Sequence, residues 1–396
     1  MLVVTQIPDL ITCFFAMYLL GLSANQFELK PDERYQNISL EIPKERVSEK
    51  FTHLLVGPEL TSMVTRTLPE VTFELAQQDQ HYLKTLEGDP AQMPPQALRW
   101  LVDYPTVTQT VIESVLDPGC VRPAFLSSSK RSLTRPSPVQ MLRVLQWMNL
   151  SLWHQRARKH PNQFVDQALP LMRAMHHKLE GCHHNLVLHL VIFNASIQLD
   201  ALSLPMLLDA RLSDERRAEL LNFFKDLISD ATDERVVRAL QNTMKVEHQM
   251  VMEMLDQHVA FTPQIGLTSI HEYFMPIKLI YDRELSRRWL RALSRASMWK
   301  MGRAPHEPTP RLAVDELIEL SQSEMRIFTY NPVGLSIIKV ATLGLEGTHA
   351  SYHQRRCRLR RQLAHVFHHL GLVEVTVPNP LTGERIDVKS EGDCQE

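Results

Sequence analysis

Residues 186–202 read LVLHLVIFNASIQLDAL, apolar on nearly every side of a helix. A helix that is hydrophobic all round is either a membrane span or the centre of a large core. Its most apolar part, Leu186 to Ile197, is too short to span a bilayer and carries His189 and Asn194, so we expect it at the buried centre of a helical region. A buried helix needs amphipathic helices packed around it, and the flanking sequence supplies them. Val139 to Lys159 sets Leu142, Leu145, Met148 and Leu152 along one side, and Pro161, tolerated in a first turn, opens a helix carrying Phe164, Val165, Ala168, Leu169, Met172 and Met175. Neighbours joined so closely pack as an antiparallel hairpin. Ser213-Asp214-Glu215 and Asp233-Glu234 read as capped starts of two further helices, ending near Leu227 and Gln257.

Outward from this centre the pattern stays helical. A long helix is expected from about His271 to Met301, with Pro276 in its early turns, and after the proline-rich stretch Arg303–Pro310 two more follow over 312–328 and 333–370. On the N-terminal side, helical spacing runs through 46–56, 58–86 and 95–116, broken at Gly57-Pro58, Gly88-Asp89-Pro90 and Asp117-Pro118-Gly119. Residues 117–138, with Pro118, Pro123, Pro136 and Pro138 around a serine-rich stretch, read as a linker or surface loop. A short strand is expected at Ile38–Ile42. Near the end, Val373, Val375 and Val377 alternate with polar residues, as do Ile386 and Val388 beyond Asn379-Pro380-Leu381-Thr382-Gly383, the pattern of a small β-hairpin.

The expected fold is therefore all-α, a multi-helix array of packed antiparallel helix pairs with a small C-terminal β-hairpin. Its segments are a hydrophobic leader (1–24), an N-terminal helical region (25–116), the linker (117–138), a central helical domain (139–302), a second linker (303–311), C-terminal helices (312–371), the hairpin (372–389) and a tail (390–396). No fixed repeat period is present, which disfavours the named solenoid families.

The leader sets the expected compartment. Leu10 to Leu22 is an apolar run of 13 residues followed by Ser23-Ala24, of signal-peptide length. We read it as a signal peptide or anchor to the inner membrane, giving a membrane-anchored or periplasmic location. A buried N-terminal helix is the competing reading, because Pro8 and Asp9 interrupt any longer span and no Lys or Arg precedes the run.

Composition narrows function by exclusion. With 43 Lys+Arg against 45 Asp+Glu the net charge is −2, so no global field draws the chain to nucleic acid or anionic lipid, and no specific nucleic-acid binding is expected. Hydrophobic residues at 44% and charged residues at 22% exclude general disorder. Five cysteines, at 13, 120, 182, 357 and 394, lack any short metal or redox spacing; in an oxidising compartment the last four can pair in three ways. There is no GxSxG elbow, glycine-rich phosphate loop or cysteine-protease signature.

Eighteen histidines are an enrichment, and they cluster. His176, His177, Glu180, Cys182, His183 and His184 offer imidazole, carboxylate and thiolate, all zinc ligands, with His176 and Glu180 one turn apart. Against this, Gly181 marks a helix end, where histidines are favoured by the free carbonyls and the helix dipole. A metal-binding protein or metal-dependent hydrolase on this cluster, with zinc as the possible cofactor, is thus the alternative function. A second group lies on the last long helix. There Tyr352, Leu359, Leu363, Val366, Phe367 and Leu370 form an apolar stripe, and Arg358, Arg361, His365, His368 and His369 fall opposite. Cationic guanidiniums among imidazoles repel a metal and suit an anion or an acidic protein surface, and with Arg355, Arg356 and Arg360 this is the most basic local patch, although a solvated outer face would look the same. The methionines at 244, 250, 252 and 254, with His248 and His258, do not project to one face and read as core filling.

Asn331-Pro332-Val333-Gly334 and Asn379-Pro380-Leu381-Thr382-Gly383, separated by a helix with Tyr352 and the Arg-Leu-Arg-Arg run at 358–361, resemble a loosely defined family of uncharacterised proteobacterial proteins. The likeness covers the last 70 residues best, and Arg356 and Cys357 stand where an acidic residue would precede the arginine run. The resemblance implies an exported or inner-membrane-anchored helical protein and supplies no activity. Taken together, the expectation is a non-enzymatic envelope protein that acts through protein–protein interaction.

Overall fold

The computed structural model describes residues 16–18, 27–42, 46–56, 102, 105–121, 138–258, 281–303, 307–324, 330–343, 345–372, 374–386 and 394. Most of the leader, the expected helix at 58–86, most of the start of the one at 95–116, the stretch 122–137 and the start of the helix expected from His271 lie outside these residues.

Among the described residues the protein is all-α, with twelve helices and no strand. They are α1 (Glu49–Val56), α2 (Pro105–Leu116), α3 (Pro138–Arg158), α4 (Pro161–Gly181), α5 (Leu186–Ser203, continued by a 3-10 turn over Leu204–Leu208), α6 (Asp214–Leu227), α7 (Asp230–His258), α8 (Arg283–Met301), α9 (Ala313–Gln322), α10 (Pro332–Leu343) and α11 (Leu345–His369). Two compact units divide the chain: a first of residues 1–41, 247–303 and 307–351, and a second of residues 42–246, 304–306 and 352–396. The division falls within α7 and α11.

In the second unit, α5 is the centre that its sequence demands. Asn185 caps it, its side chain accepting from Leu188 N at 2.8 Å, and 78% of its most apolar window is buried against the surrounding helices. Packing on α3 and α4 removes Trp147, Met148, Phe164, Met172, Ile192 and Leu199 from solvent. Only Lys159 and His160 separate α3 from α4, a connection short enough to enforce an antiparallel pair. One polar side chain indexes the interface: Asn149 donates to Ala195 O at 3.0 Å and to Gln198 Oε1 at 3.3 Å.

The head of the stretch read as a linker is firmly held. Val47 and Cys120 form an isolated parallel bridge, and Cys120 is bonded to Cys182 at the end of α4. Gly119 has a φ of +119°, and an added Cβ there would meet Ser48 N at 2.8 Å, so only glycine fits. Lys178 reaches into this corner. Its side chain is 1% exposed, its Nζ donates to Asp117 O at 2.8 Å and Gly119 O at 2.9 Å, and it lies 4.3 Å from the centre of the Phe51 ring. Burial outweighs the neighbouring Asp117 and pushes this ammonium down to about 8.

The first unit is built from α8, α9 and α10 around Trp289, Leu290, Leu293, Leu317, Leu335 and Ile338. Its helix α8 begins at Arg283, capped by Asp282, rather than running on from His271 as one expected helix; Tyr281 and Asp282 are not helical. The Asn331-Pro332-Val333-Gly334 motif has a structural task here. Asn331 is fully buried at a φ of +61°, a left-handed conformation that asparagine tolerates. Its Oδ1 accepts from Gly334 N at 3.1 Å, capping α10, and from Asp282 N at 2.9 Å; its Nδ2 donates to Ser286 Oγ at 2.9 Å. Asp282 in turn accepts from Leu285 N at 2.9 Å and caps α8. One asparagine thus ties two helix starts together.

Two expectations need correction. The stretch expected as one helix over 333–370 forms two, Pro332–Leu343 and Leu345–His369. Residues 38–42 form no strand, and Ile38 O instead accepts from Arg295 Nε at 3.0 Å. Of the expected hairpin, the described residues show a turn closed by one antiparallel bridge, Pro378 to Arg385, with Ile386 N donating to Val377 O at 2.9 Å; Val373 and Val388 lie outside the described residues.

Candidate functional site

A small, mainly apolar cavity lies among five helices of the second unit. His176, Leu179 and Glu180 of α4, Phe193, Ser196, Ile197 and Asp200 of α5, Leu227 of α6, Thr232 and Val236 of α7, and Tyr352, Arg356, Leu359, Arg360 and Leu363 of α11 line it. On each long helix the lining positions recur every three or four residues, the spacing of one helical face. The volume open to water centres is about 30 Å3, room for two or three water molecules.

A run of alternating charges crosses one wall. His176 Nε2 lies 2.8 Å from Asp200 Oδ2, and its Nδ1 makes an ionic contact of 3.4 Å with Glu180 Oε1, without hydrogen-bond geometry. Glu180 Oε2 accepts from Arg235 Nε at 2.6 Å, and Arg235 also reaches Thr232 Oγ1 at 2.6 Å and the exposed Asp226 at 3.1 Å. Asp200 is fully buried in a largely apolar helix, a placement that requires a partner. Burial by itself opposes a charged His176, but Asp200 and Glu180 together overcome it and raise the imidazole to about 10. Glu180 is held below the ordinary carboxylate range, since His176 and Arg235 outweigh the opposing effect of burial.

The chemical consequence is that His176 stays an imidazolium across the physiological range. Such a ring has no lone pair with which to accept a proton or bind a metal. A pH signature follows with a definite sign. The folded value of about 10 lies above the ordinary 6.5, so the stabilisation is fully present below pH about 6.5 and is lost as pH rises through about 10. We expect His176→Gln to cost about 3 kcal/mol at pH 6, because it strands buried Asp200. In urea titrations the gap between wild type and variant should narrow steadily toward pH 10. A gap that stays constant or widens would rule the clamp out.

The opposite wall is α11. Arg356 and Arg360, 9% and 3% exposed, both donate to Oδ1 of Asp233, and Arg360 also donates to Pro378 O at 3.1 Å. Burial, and then the adjacent Arg356, lower Arg360 to about 10 against the pull of Asp233. Tyr352 stacks on Phe193, ring centres 3.9 Å apart, with His189 on a neighbouring side at 5.9 Å. Burial pushes the Tyr352 phenol up and the His189 imidazole down to about 3.

The residues expected from the sequence are distributed as follows. Of the zinc candidates, only His176 and Glu180 face the cavity, both committed to ion pairs. His177 is exposed, and Cys182 is bonded to Cys120 and offers no thiolate. His183 is buried, and His184 Nε2 lies 3.0 Å from Lys178 O. The six do not converge, and no group of three metal-ligating side chains is gathered among the described residues. On α11 the expected division of faces is present. Tyr352, Leu359, Leu363, Val366 and Phe367 are buried and Leu370 is half-buried. Arg358, His368 and His369 are exposed, and Arg361 and His365 are half-buried. His248 is bonded to Ser294 at 3.0 Å, and Met252 packs on the core of the first unit, in keeping with core filling.

Sequence reasoning missed Asp200 and Arg235 and read Asp233 as a helix start, although α7 begins at Asp230; Arg356 and Arg360, expected in the basic outer patch of α11, are instead buried. An acid near the end of an apolar helix was the available signal for Asp200, since such a residue is buried only with a cationic partner. No family model, curated protein or solved structure matches the chain.

Proposed function

We propose that this chain is a non-enzymatic helical protein of an oxidising compartment, exported or anchored to the inner membrane by its leader, that binds an acidic protein through the outer face of α11. The observation that carries the partner reading is the composition of that face. From Tyr352 to His369 the helix contains no Asp or Glu, while Arg358, His368 and His369 stand exposed beside Arg361 and His365. A one-signed patch steers an oppositely charged partner and repels like-charged ones. The compartment is supported by the pairing of all four cysteines beyond the leader, Cys120 with Cys182 and Cys357 with Cys394. Such pairs persist where thiols are not kept reduced. The likeness to proteobacterial envelope proteins points the same way.

The test is cross-linking in intact cells with a C-terminally tagged chain, followed by fractionation. Wild type should recover a discrete partner from the envelope fraction, in a salt-sensitive manner. Arg358→Glu with Arg361→Glu should reduce that recovery about tenfold or more, at the level of two lost charge pairs. Recovery unaffected by charge reversal, or a chain confined to the cytosol with free thiols, would defeat the reading.

A further inference from the structure

Helix α8 of the first unit is rich in arginine and contains a single acid, Glu284. Its apolar side, with Trp289, Leu290 and Leu293, is spent on the core of that unit. On the other side Arg288, Arg291 and Arg295 succeed one another at steps of three and four residues, forming one stripe about 10 Å long. Arg288 and Arg291 are exposed and make no hydrogen bond or ion pair among the described residues. Arg295 is half-buried and donates to an uncharged acceptor, Ile38 O. The acids at the head of the helix are engaged elsewhere: Glu284 pairs with Arg287 at 2.6 Å, and Asp282 accepts from Leu285 N and from the Tyr330 hydroxyl at 3.0 Å. His248 of α7 adds no charge of its own, because burial, and then Arg291 and Arg295, push its imidazole down to about 4. The stripe thus presents three guanidiniums, none of them bonded to a carboxylate among the described residues.

The entry of the chain into the unit decides what lies close to this stripe. Phe27 packs edge-on against Trp289, ring centres 6.3 Å apart, Leu29 and Ile38 lie on the same core, and Asp32 accepts from Ala313 N at 3.4 Å. Phe27 is five residues beyond Leu22, the end of the apolar leader run, so at most about 18 Å of chain separates that run from α8. From this we infer that the Arg288, Arg291 and Arg295 stripe is a docking surface for the anionic phospholipid headgroups of the membrane that holds the leader. The inference rests on the leader being an anchor and deepens that reading: the leader supplies attachment, and the stripe selects anionic lipid. Each basic residue near an anionic bilayer adds about fivefold in affinity. An acidic protein would be drawn to the same charges, but it would compete with a lipid surface that the short tether keeps at hand. With a net charge of −2 on the whole chain, a preference for anionic lipid has to come from a local face.

The experiment is co-sedimentation of the full, oxidised chain with vesicles of phosphatidylcholine alone, and of phosphatidylcholine mixed with phosphatidylglycerol, over a range of lipid concentrations. Binding to the neutral vesicles reports the leader. On the anionic vesicles the lipid concentration at half-binding should fall about a hundredfold, a gain that added salt erases. Arg288→Gln with Arg291→Gln is the decisive variant. Both side chains are exposed and unbonded, so its melting temperature and its binding to neutral vesicles should match those of wild type, while about twenty-fivefold of the gain is lost. Arg358→Gln with Arg361→Gln, on the outer face of α11, should keep the gain. The inference is overturned if the two kinds of vesicle bind alike, if Arg288→Gln with Arg291→Gln retains the full gain, or if the gain belongs to the α11 arginines. It is equally overturned if polyglutamate, rather than vesicles, binds under the control of Arg288 and Arg291. A chain that ignores neutral vesicles yet shows the arginine-dependent gain would instead remove the leader as the anchor and leave the stripe as the lipid contact.

Discussion

Gly334→Ala should destabilise the first unit by about 3 kcal/mol or more, because it forces a buried, fully bonded group out of place. A methyl at 334 would overlap Asn331 Nδ2 and Ser286 Oγ and would lie 2.6 Å from Asn331 Cγ. Asn331 cannot yield without releasing Gly334 N, Asp282 N and Ser286 Oγ together, since its amide serves all three. The ends of α8 and α10 would then lose their shared cap. Gly371→Ala provides the contrast. That residue has a φ of +73° but nothing within 4 Å of an added Cβ, so only the backbone preference is lost, at about 1 kcal/mol. Hydrogen exchange read at the amides of α8 and α10 separates the two cases. Equal protection in Gly334→Ala and Gly371→Ala would show that the close approach of Asn331 to Gly334 does not hold this unit together.

Removing the Cys120–Cys182 bond should have the largest effect on the second unit. The bond closes a loop of 62 residues, for which chain entropy predicts about 4 kcal/mol of stabilisation. The loss is not confined to the unfolded chain. Lys178 draws its two acceptors from Asp117 and Gly119, immediately before Cys120, so loosening that corner leaves a buried ammonium poorly served. We expect Cys120→Ser with Cys182→Ser to lower the urea midpoint markedly, and reductant to do the same to wild type. The Cys357–Cys394 bond closes 37 residues, so its loss should cost slightly less. An unchanged midpoint under reductant, or four thiols reacting in the folded native protein, would contradict both assignments.

How much of this could be read beforehand depended on the range of the interaction involved. Helix starts are local: Asn185, Ser213 and Asp282 cap through backbone groups three residues away, and Ser213 stood out in the chain. The start of α8 did not, because the apolar spacing before it continued without interruption and the capping role of Asp282 was overlooked. The turn at 379–383 was visible in its Pro and Gly, and one antiparallel bridge, Pro378 to Arg385, closes it. The histidine cluster at 176–184 shows a related limit. Ligand-like spacing along one helix says nothing about what faces that helix, and here a disulfide, an ion-pair clamp and a carbonyl occupy the side chains first.

The division of α11 draws the same boundary within a single helix. Its periodicity, about 3.6 residues per turn, is a property of the chain alone, and it assigned Tyr352, Leu359, Leu363 and Phe367 to the inside and Arg358 and His368 to the outside. Arg356 and Arg360 sit at the edge of the apolar stripe, where periodicity does not choose. What turned them inward was Asp233, more than 120 residues earlier, which makes burial of two guanidiniums tolerable. Helical content and the central place of α5 follow from side-chain spacing, which acts over a few residues. The cavity, its charges and the disulfide pairing depend on long-range approach, because an ion pair or a covalent bridge exists only once the fold has brought its two halves together.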